Sequence, residues 1–313
     1  NNAETGLLRP TFEWDINDTD ILSGIAYYQL EISNSVTFDT IIIQDTIPEG
    51  NNKFTLTQDL MAGETYYWRV RTVDVAGNIN QGINYRLLRI AIKPEKLWYV
   101  SATNGNDTYI GSETYPFATI KRALQAAIAY DTIYIAAGTY SETVVIDTDG
   151  ISLIGADSSL TIIDPVGDSI LTSLNAIKIN RNNVLIKNLM VRDAYYGILI
   201  EGDSAEITNV YLTFCGGNAG GFDCGGLKIN VGKRYSKIRN CYFYGNNNGL
   251  HLSTASEHLI FGNEFKQNNS CGLYIYWNSN NNNVYENIVR DNVYGIFVNH
   301  SNNNNIYNNK LEN

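Results

Sequence analysis

The chain has 313 residues, 44% of them hydrophobic and only 17% charged, with a formal net charge of -10. That allows a buried core in two domains or one long repeat array. It argues against nucleic acid as a partner, because a phosphate-binding face needs surplus Lys and Arg. No stretch approaches the roughly 18–20 apolar residues that span a bilayer, and the start "NNAETGLLRP" lacks the basic and apolar regions of a leader, so it reads as a mature or trimmed N-terminus.

Residues 7 to 92 alternate as half-buried strands do: "PTFEWDI", "AYYQLEIS", "FDTIIIQDTI", "KFTLTQ", "TYYWRVRTVD", "NYRLLRIAI". Short polar or glycine-containing turns separate them at the spacing of a β-sandwich. The stretch "LMAGETYYWRVRTVDVAGN" resembles the corner and following strand of fibronectin type III-like domains. Leu60, Gly63, Thr65 and Tyr66 match a tyrosine corner, Trp68 and Val70 continue inward, and Trp14 stands where that family packs an early core tryptophan. The resemblance implies a spacer or binding module over residues 1–93, with Trp14, Leu30, Tyr66 and Trp68 in its core.

From residue 94 the pattern changes. Pro116 to Tyr130 reads as one amphipathic helix with Phe117, Ile120, Leu124 and Ile128 on its apolar face, and from Thr132 onward only strands are expected. Gly226, Gly249, Gly272 and Gly295 recur every 23 residues, each followed by aliphatic-x-aliphatic. An apolar-x-Asn signature follows in every copy, at Asn188, Asn209, Asn240, Asn263, Asn287 and Asn309. Three short strands per repeat of this length make one rung of a parallel β-helix. Equivalent asparagines then stack as a ladder that satisfies turn backbone. Asn188, Asn209, Asn240, Asn263 and Asn309 are expected in one column, with Asn287 displaced because its rung holds one extra residue before it.

"YVSATNGNDTYIGSETYPFATIKRALQAAIAYDTIYIAAGTYSE" resembles the N-terminal cap and first coil of the pectin-lyase-like superfamily, and the Asn-rich final coils resemble NosD-type and polysaccharide-lyase-like repeats. The expected fold is all-β: a fibronectin type III-like sandwich over 1–93, then a right-handed parallel β-helix with an N-terminal capping helix over 94–313. In the superfamily's enzymes the exposed face of one sheet forms the sugar groove. Here that outward column reads Lys178, Leu199, Lys228, His251, Tyr274, Phe297, with Tyr276 and Trp277 beside it. Lys228, His251, Tyr274, Tyr276 and Trp277 are therefore the candidate glycan-binding residues.

A Gly-rich insertion, Phe214 to Gly226, overhangs the same face and carries Asp223. A lyase needs a base for the proton α to a uronate carboxylate and a cation for that carboxylate, so Lys228, His251, Arg234 and Asp223 are the candidate catalytic set. For binding of a polyanionic glycan, Lys228 and Arg234 are expected to dominate. His258 reads as a turn residue. No cofactor is expected; calcium is the one candidate, and no cluster of three or four acidic residues stands out to hold it.

Four cysteines, Cys215, Cys224, Cys241 and Cys271, form no C-x-x-C pair, against a structural zinc site. They leave open one or two disulfides, with Cys215 and Cys224 bracketing the glycine loop, or four free thiols in small slots. Sequons at Asn17, Asn106, Asn268 and Asn299 permit glycosylation, and the location leans extracellular or cell-surface. "NNNNIYNNKLEN" stops about nineteen residues into a rung, so either more rungs follow or the open coil pairs with another chain and supports self-association into a filament or layer. The main functional expectation is a structural or adhesive surface protein that binds glycan without catalysis. The alternative is a carbohydrate-active enzyme, lyase-like, on an acidic polysaccharide.

Overall fold

Alternating side chains in the first ninety residues build a mixed sheet. In the computed structural model, which describes residues 3–15, 24–80, 84–91, 96–165, 174–217 and 223–312, five strands lie in the order Ala3–Thr5, Arg86–Ile90, Thr65–Asp74, Ile25–Ser33, Ile41–Pro48. All neighbours are antiparallel except Ala3–Thr5, which runs parallel to Arg86–Ile90. A two-stranded ribbon, Thr11–Glu13 with Lys53–Thr55, forms a second layer. Its Phe12 meets Trp68 edge-on at 4.9 Å, and the neighbouring Trp14 meets Tyr28 at 5.7 Å. Leu30, Ile32, Leu60 and Tyr66 complete this core, and Trp68 packs against it half-buried. The Tyr66 hydroxyl accepts the Met61 N–H at 3.1 Å, the bond that defines a tyrosine corner. Residues Thr108–Tyr115 belong to this unit: Leu8 N–H donates to the Thr108 carbonyl, and Ile110 is buried.

In the second unit the helix that follows the strand Leu97–Val100 is shorter than the sequence suggests. It spans only Ile120–Ala126, with Thr119 as the N-cap. Pro116 lies outside it because Phe117 is still bonded like a strand, its N–H to Tyr99 and its carbonyl to Ser101. The carboxylates of Asp107 and Glu142 take the N–H groups of residues 118–121 that a helix start leaves unpaired. The helix stops because Asp131 captures the Ile128 N–H and Tyr130 takes a left-handed φ of 69°. Ile128, expected on the buried face, is consequently 69% exposed.

From Thr132 onward all regular structure among the described residues is strand, coiled as a parallel β-helix. One face is a seven-stranded parallel sheet: Val144–Ile146, Asn175–Ile179, Tyr196–Ile200, Gly225–Ile229, Asn248–Ser253, Cys271–Tyr276 and Tyr294–Asn299. The other two faces join as one 15-stranded sheet, because Leu185–Arg192 and Glu206–Thr213 run continuously around the corner between them. The glycine repeat has a packing cause. A Cβ on Gly249 would stand 2.4 Å from the Gly272 carbonyl oxygen and 2.9 Å from the Phe265 ring; on Gly226 it would meet the Gly249 oxygen at 2.7 Å. Glycine makes room for the interior Phe243–Phe265 stack, 4.7 Å between centroids.

The asparagines form two columns where one was expected. Asn188, Asn209 and Asn240 sit at the corner itself with φ of 57°, 52° and 52°, and Asn209 donates to Asn188 on the outside at 2.8 Å. Strand pairing places Gly262 below Asn240, since Ile238 faces Ile260 and Tyr242 faces Glu264. Asn263 therefore lies one residue further on, turned inward with Asn287 and Asn309, and Nδ2–Oδ1 bonds of 3.0 and 2.9 Å link the three. The apolar residues before these three asparagines, Phe261, Tyr285 and Tyr307, are outward rings stacked at 5.0 and 5.3 Å. Taking them for inward aliphatics slips the register by one, which reverses the face. Asn287 stays in its column because the extra residue of its rung is absorbed earlier, in the turn that holds Trp277 and Asn278, both left-handed.

Two further inward ladders occupy other corners: Asn246–Asn268–Asn292 and His258–Asn282–Asn304. His258 is fully buried and takes an asparagine's place. Its Nδ1 accepts the Ser236 N–H at 3.0 Å, so the proton is on Nε2, which donates to the Lys233 carbonyl at 3.1 Å. Burial holds its pKa down at about 4. Asn268 is 2% exposed within its ladder, so that sequon is closed to glycosylation in the folded chain; Asn17 lies outside the described residues.

Candidate functional site

On the outer surface of the seven-stranded sheet, strand pairing puts Leu199, Lys228, His251, Tyr274 and Phe297 in one row across successive rungs. Tyr276 is level with Ser253 and Asn299 in the next row. Side chains at alternate positions leave the same face of a strand, so this row points away from the coil interior. Its middle is nonetheless buried, with Lys228, His251 and Tyr274 at 8%, 4% and 7% exposure. Part of the cause is the row itself: His251 stacks on Tyr274 at 4.9 Å, and Tyr274 on Phe297 at 5.5 Å. Rings stacked this way cover each other's faces and present edges outward. Trp277 differs. The extra residue of its turn pushes it out to 50% exposure, beside His300 at 5.2 Å.

Asp223 joins the row from the insertion, of which residues 218–222 lie outside the described residues. Its Oδ1 is 2.5 Å from Lys228 Nζ and 3.4 Å from His251 Nδ1. The first contact is a charge-assisted hydrogen bond; the second is longer and lacks hydrogen-bond geometry. The His251 imidazole, then Lys228, hold the Asp223 carboxyl well below the usual carboxylate range, against the opposing effect of desolvation. Lys228 also donates to the Tyr196 hydroxyl at 3.3 Å and lies 5.3 Å from the centre of its ring. That hydroxyl in turn donates to the Asp223 main-chain carbonyl. Burial first, and the Asp223 charge second, push the Tyr196 phenol far above its ordinary pKa. His251 Nε2 is buried without a hydrogen-bond partner.

Four of the candidates, Asp223, Lys228, His251 and Tyr274, therefore meet, with Tyr276 and Trp277 alongside through ring contacts. Arg234 is engaged elsewhere. It follows the strand in a turn, where it pairs with Glu257 at 3.3 Å and its N–H binds Asp203. Tyr196 is the member that sequence reasoning missed. Its signal is size: it pairs with Gly225 and stands in line with Asn248 on the rung beyond, so a large ring is followed by small residues on the next two rungs.

Among the described residues no three His, Cys, Asp or Glu side chains gather as a metal site. All four cysteines are buried free thiols. Cys215 donates to the Thr213 carbonyl and Cys224 to Gly216, and burial pushes Cys215 and Cys241 up to about 12, which makes them poor nucleophiles. A separate shallow groove of about 370 Å³ lies on another face, between Asn209, Tyr211, Asn240, Tyr242 and Glu264.

Residues 175–313 match the protein family described as right handed beta helix region. Two solved structures share the coil: a GH136 lacto-N-biosidase from Eubacterium ramulus (TM-score 0.50, 12% identical, covering 63% of this chain and 45% of that one) and the pectate lyase Pel9A (TM-score 0.50, 16% identical, covering 63% and 54%). The chain spans about half the length of each. No curated protein matches the sequence. The C-terminal part is thus a right-handed β-helix region with the pectin lyase-like fold.

Proposed function

We propose that this right-handed β-helix is carbohydrate-active: an acidic polysaccharide lies along the outer face of its seven-stranded sheet and is cleaved by β-elimination beside Lys228 and His251. The observation that carries the reading is a buried amine and a buried imidazole held together on that face, with neither ring nitrogen hydrogen-bonded. In the reaction the His251 imidazole takes the proton α to a uronate carboxylate, whose negative charge the Lys228 ammonium neutralises. The C–H electron pair becomes the new ring double bond, the glycosidic C–O bond breaks, and the leaving oxygen takes a proton from solvent. Trp277, the most open ring, offers a face to a sugar further along. A pectate lyase and a lacto-N-biosidase share the fold, and at 16% and 12% identity that likeness supports the fold alone.

A second reading keeps the binding and drops the chemistry: a cell-surface or extracellular adhesive protein, with the N-terminal unit as a fibronectin type III-like spacer. The stacked rings and the pairing of Lys228 with Asp223 support it, as does the Tyr66 corner. One experiment separates the two. Uronate-containing polysaccharides are offered to the full chain, following binding calorimetrically and unsaturated products by absorbance. The lyase reading expects product from the parent and loss of at least a hundredfold in His251→Ala with binding retained. Binding without product favours the adhesive reading, and no binding to any acidic polymer overturns both.

A further inference from the structure

We infer that Lys228 and His251 form a carboxylate-specific pocket in this face, and that Asp223 is its internal occupant, exchanged for the carboxylate of an acidic sugar when one binds. The inference rests on the proposed function and names what selects the substrate.

Exposure is the first observation. The Lys228 and His251 side chains are 10% and 5% exposed, whereas the Asp223 carboxylate that contacts both is 64% exposed. The pocket is built into the surface, and what fills it comes from above. The second is an imperfect fit. Asp223 Oδ1 serves Lys228 at 2.5 Å but stands 3.4 Å from His251 Nδ1, and neither ring nitrogen has a hydrogen bond. Buried polar atoms left unpaired are costly, so a carboxylate free to settle deeper, one oxygen on each partner, gains what Asp223 does not reach.

The third observation is that exchange needs no backbone movement. The Asp223 carbonyl is held by the Tyr196 hydroxyl, and the Cys224 carbonyl accepts from the Asn248 N–H and Nδ2 at 3.2 and 3.3 Å. Rotation about the Asp223 Cα–Cβ bond alone carries its carboxylate into water, where it is already largely solvated. Selectivity follows from charge. An acidic sugar replaces the counter-ion that leaves, while a neutral sugar would strand a buried ammonium without a partner, a strongly unfavourable state.

The test uses glucuronate and glucose as probes on the full chain. Asp223→Ala empties the pocket, so its Tm should fall and glucuronate should restore it. Its affinity for glucuronate should exceed the parent's by at least tenfold, with no response to glucose. Adding Lys228→Met should abolish the response. Asp223→Asn, which keeps the shape and removes the charge, gives the same comparison should the alanine variant fail to fold, with a smaller shift in the same direction. Equal glucuronate affinity in parent and variants, or a response that survives Lys228→Met, overturns the inference. Failure of the proposed function looks different: the variants would respond to glucuronate while the parent neither bound nor cleaved any acidic polysaccharide.

Discussion

His258 shows how one residue type does another's work. Its two ring nitrogens reproduce the acceptor and donor of the asparagine amides below it, and this holds only while Nδ1 is bare. The folded imidazole takes a second proton near pH 4 and an unfolded one near its ordinary 6.5. Between those values the unfolded chain binds more protons, so stability falls as pH is lowered through that window, by about 3 kcal/mol. His258→Asn should keep the ladder and flatten this part of the profile, as read by denaturant unfolding at several pH values. An unchanged pH dependence would show that other groups cause it. The substitution is chosen from the rungs themselves, since Asn282 and Asn304 already fill the equivalent place.

At the scale of the strand and its turn, the two asparagine columns differ in what they hold. Asn263 Oδ1 accepts the Cys241 N–H, and its Nδ2 donates to the Ile238 carbonyl and to Asn287. Asn263→Ala leaves these buried groups unpaired and should cost about 3 kcal/mol. Asn209→Ala loses an exposed amide contact and places alanine in a left-handed conformation, for about 1 kcal/mol. A pair of equal losses in thermal or denaturant unfolding would erase the distinction between the columns. Gly249→Ala must push the Gly272 carbonyl or the Phe265 ring aside and should cost about 1–3 kcal/mol, although alanine is ordinarily well tolerated in buried positions.

Across the whole molecule, legibility follows periodicity. The glycine repeat and the row Lys228–His251–Tyr274–Phe297 are readable in the sequence because a two-residue alternation fixes which side chains share a face. The corners are harder. There an outward ring such as Tyr285 and an inward aliphatic such as Val284 are neighbours in sequence and equally apolar, so the sequence offers two registers and the structure uses the one with the aliphatic inside. The short helix reads too long in the sequence for a related reason: Ile128 keeps helical phase, but Asp131 takes its N–H and ends the helix. Tyr196 meets Lys228 from a neighbouring rung, 32 residues from it in sequence, and no local pattern records such a meeting.

The ladders link residues 22 to 24 apart, each amide bonding to the rung that follows. From Asn246 onward successive rungs are therefore interchangeable at their joints, much as links of one gauge are interchangeable in a chain. Gene slippage that copied residues 263–286 would insert a rung whose ends already match: its one new junction joins Glu286 to a second Asn263, in place of the equivalent Asn287. Length would then vary in the lineage without a new fold having to be found, while Asp223, Lys228 and His251, which all precede the duplicated segment, kept their geometry. A chain with that duplication should fold cooperatively and remain monodisperse, with its β-sheet circular dichroism increased by one rung; aggregation or loss of cooperativity would show that the rungs are less alike than their bonds.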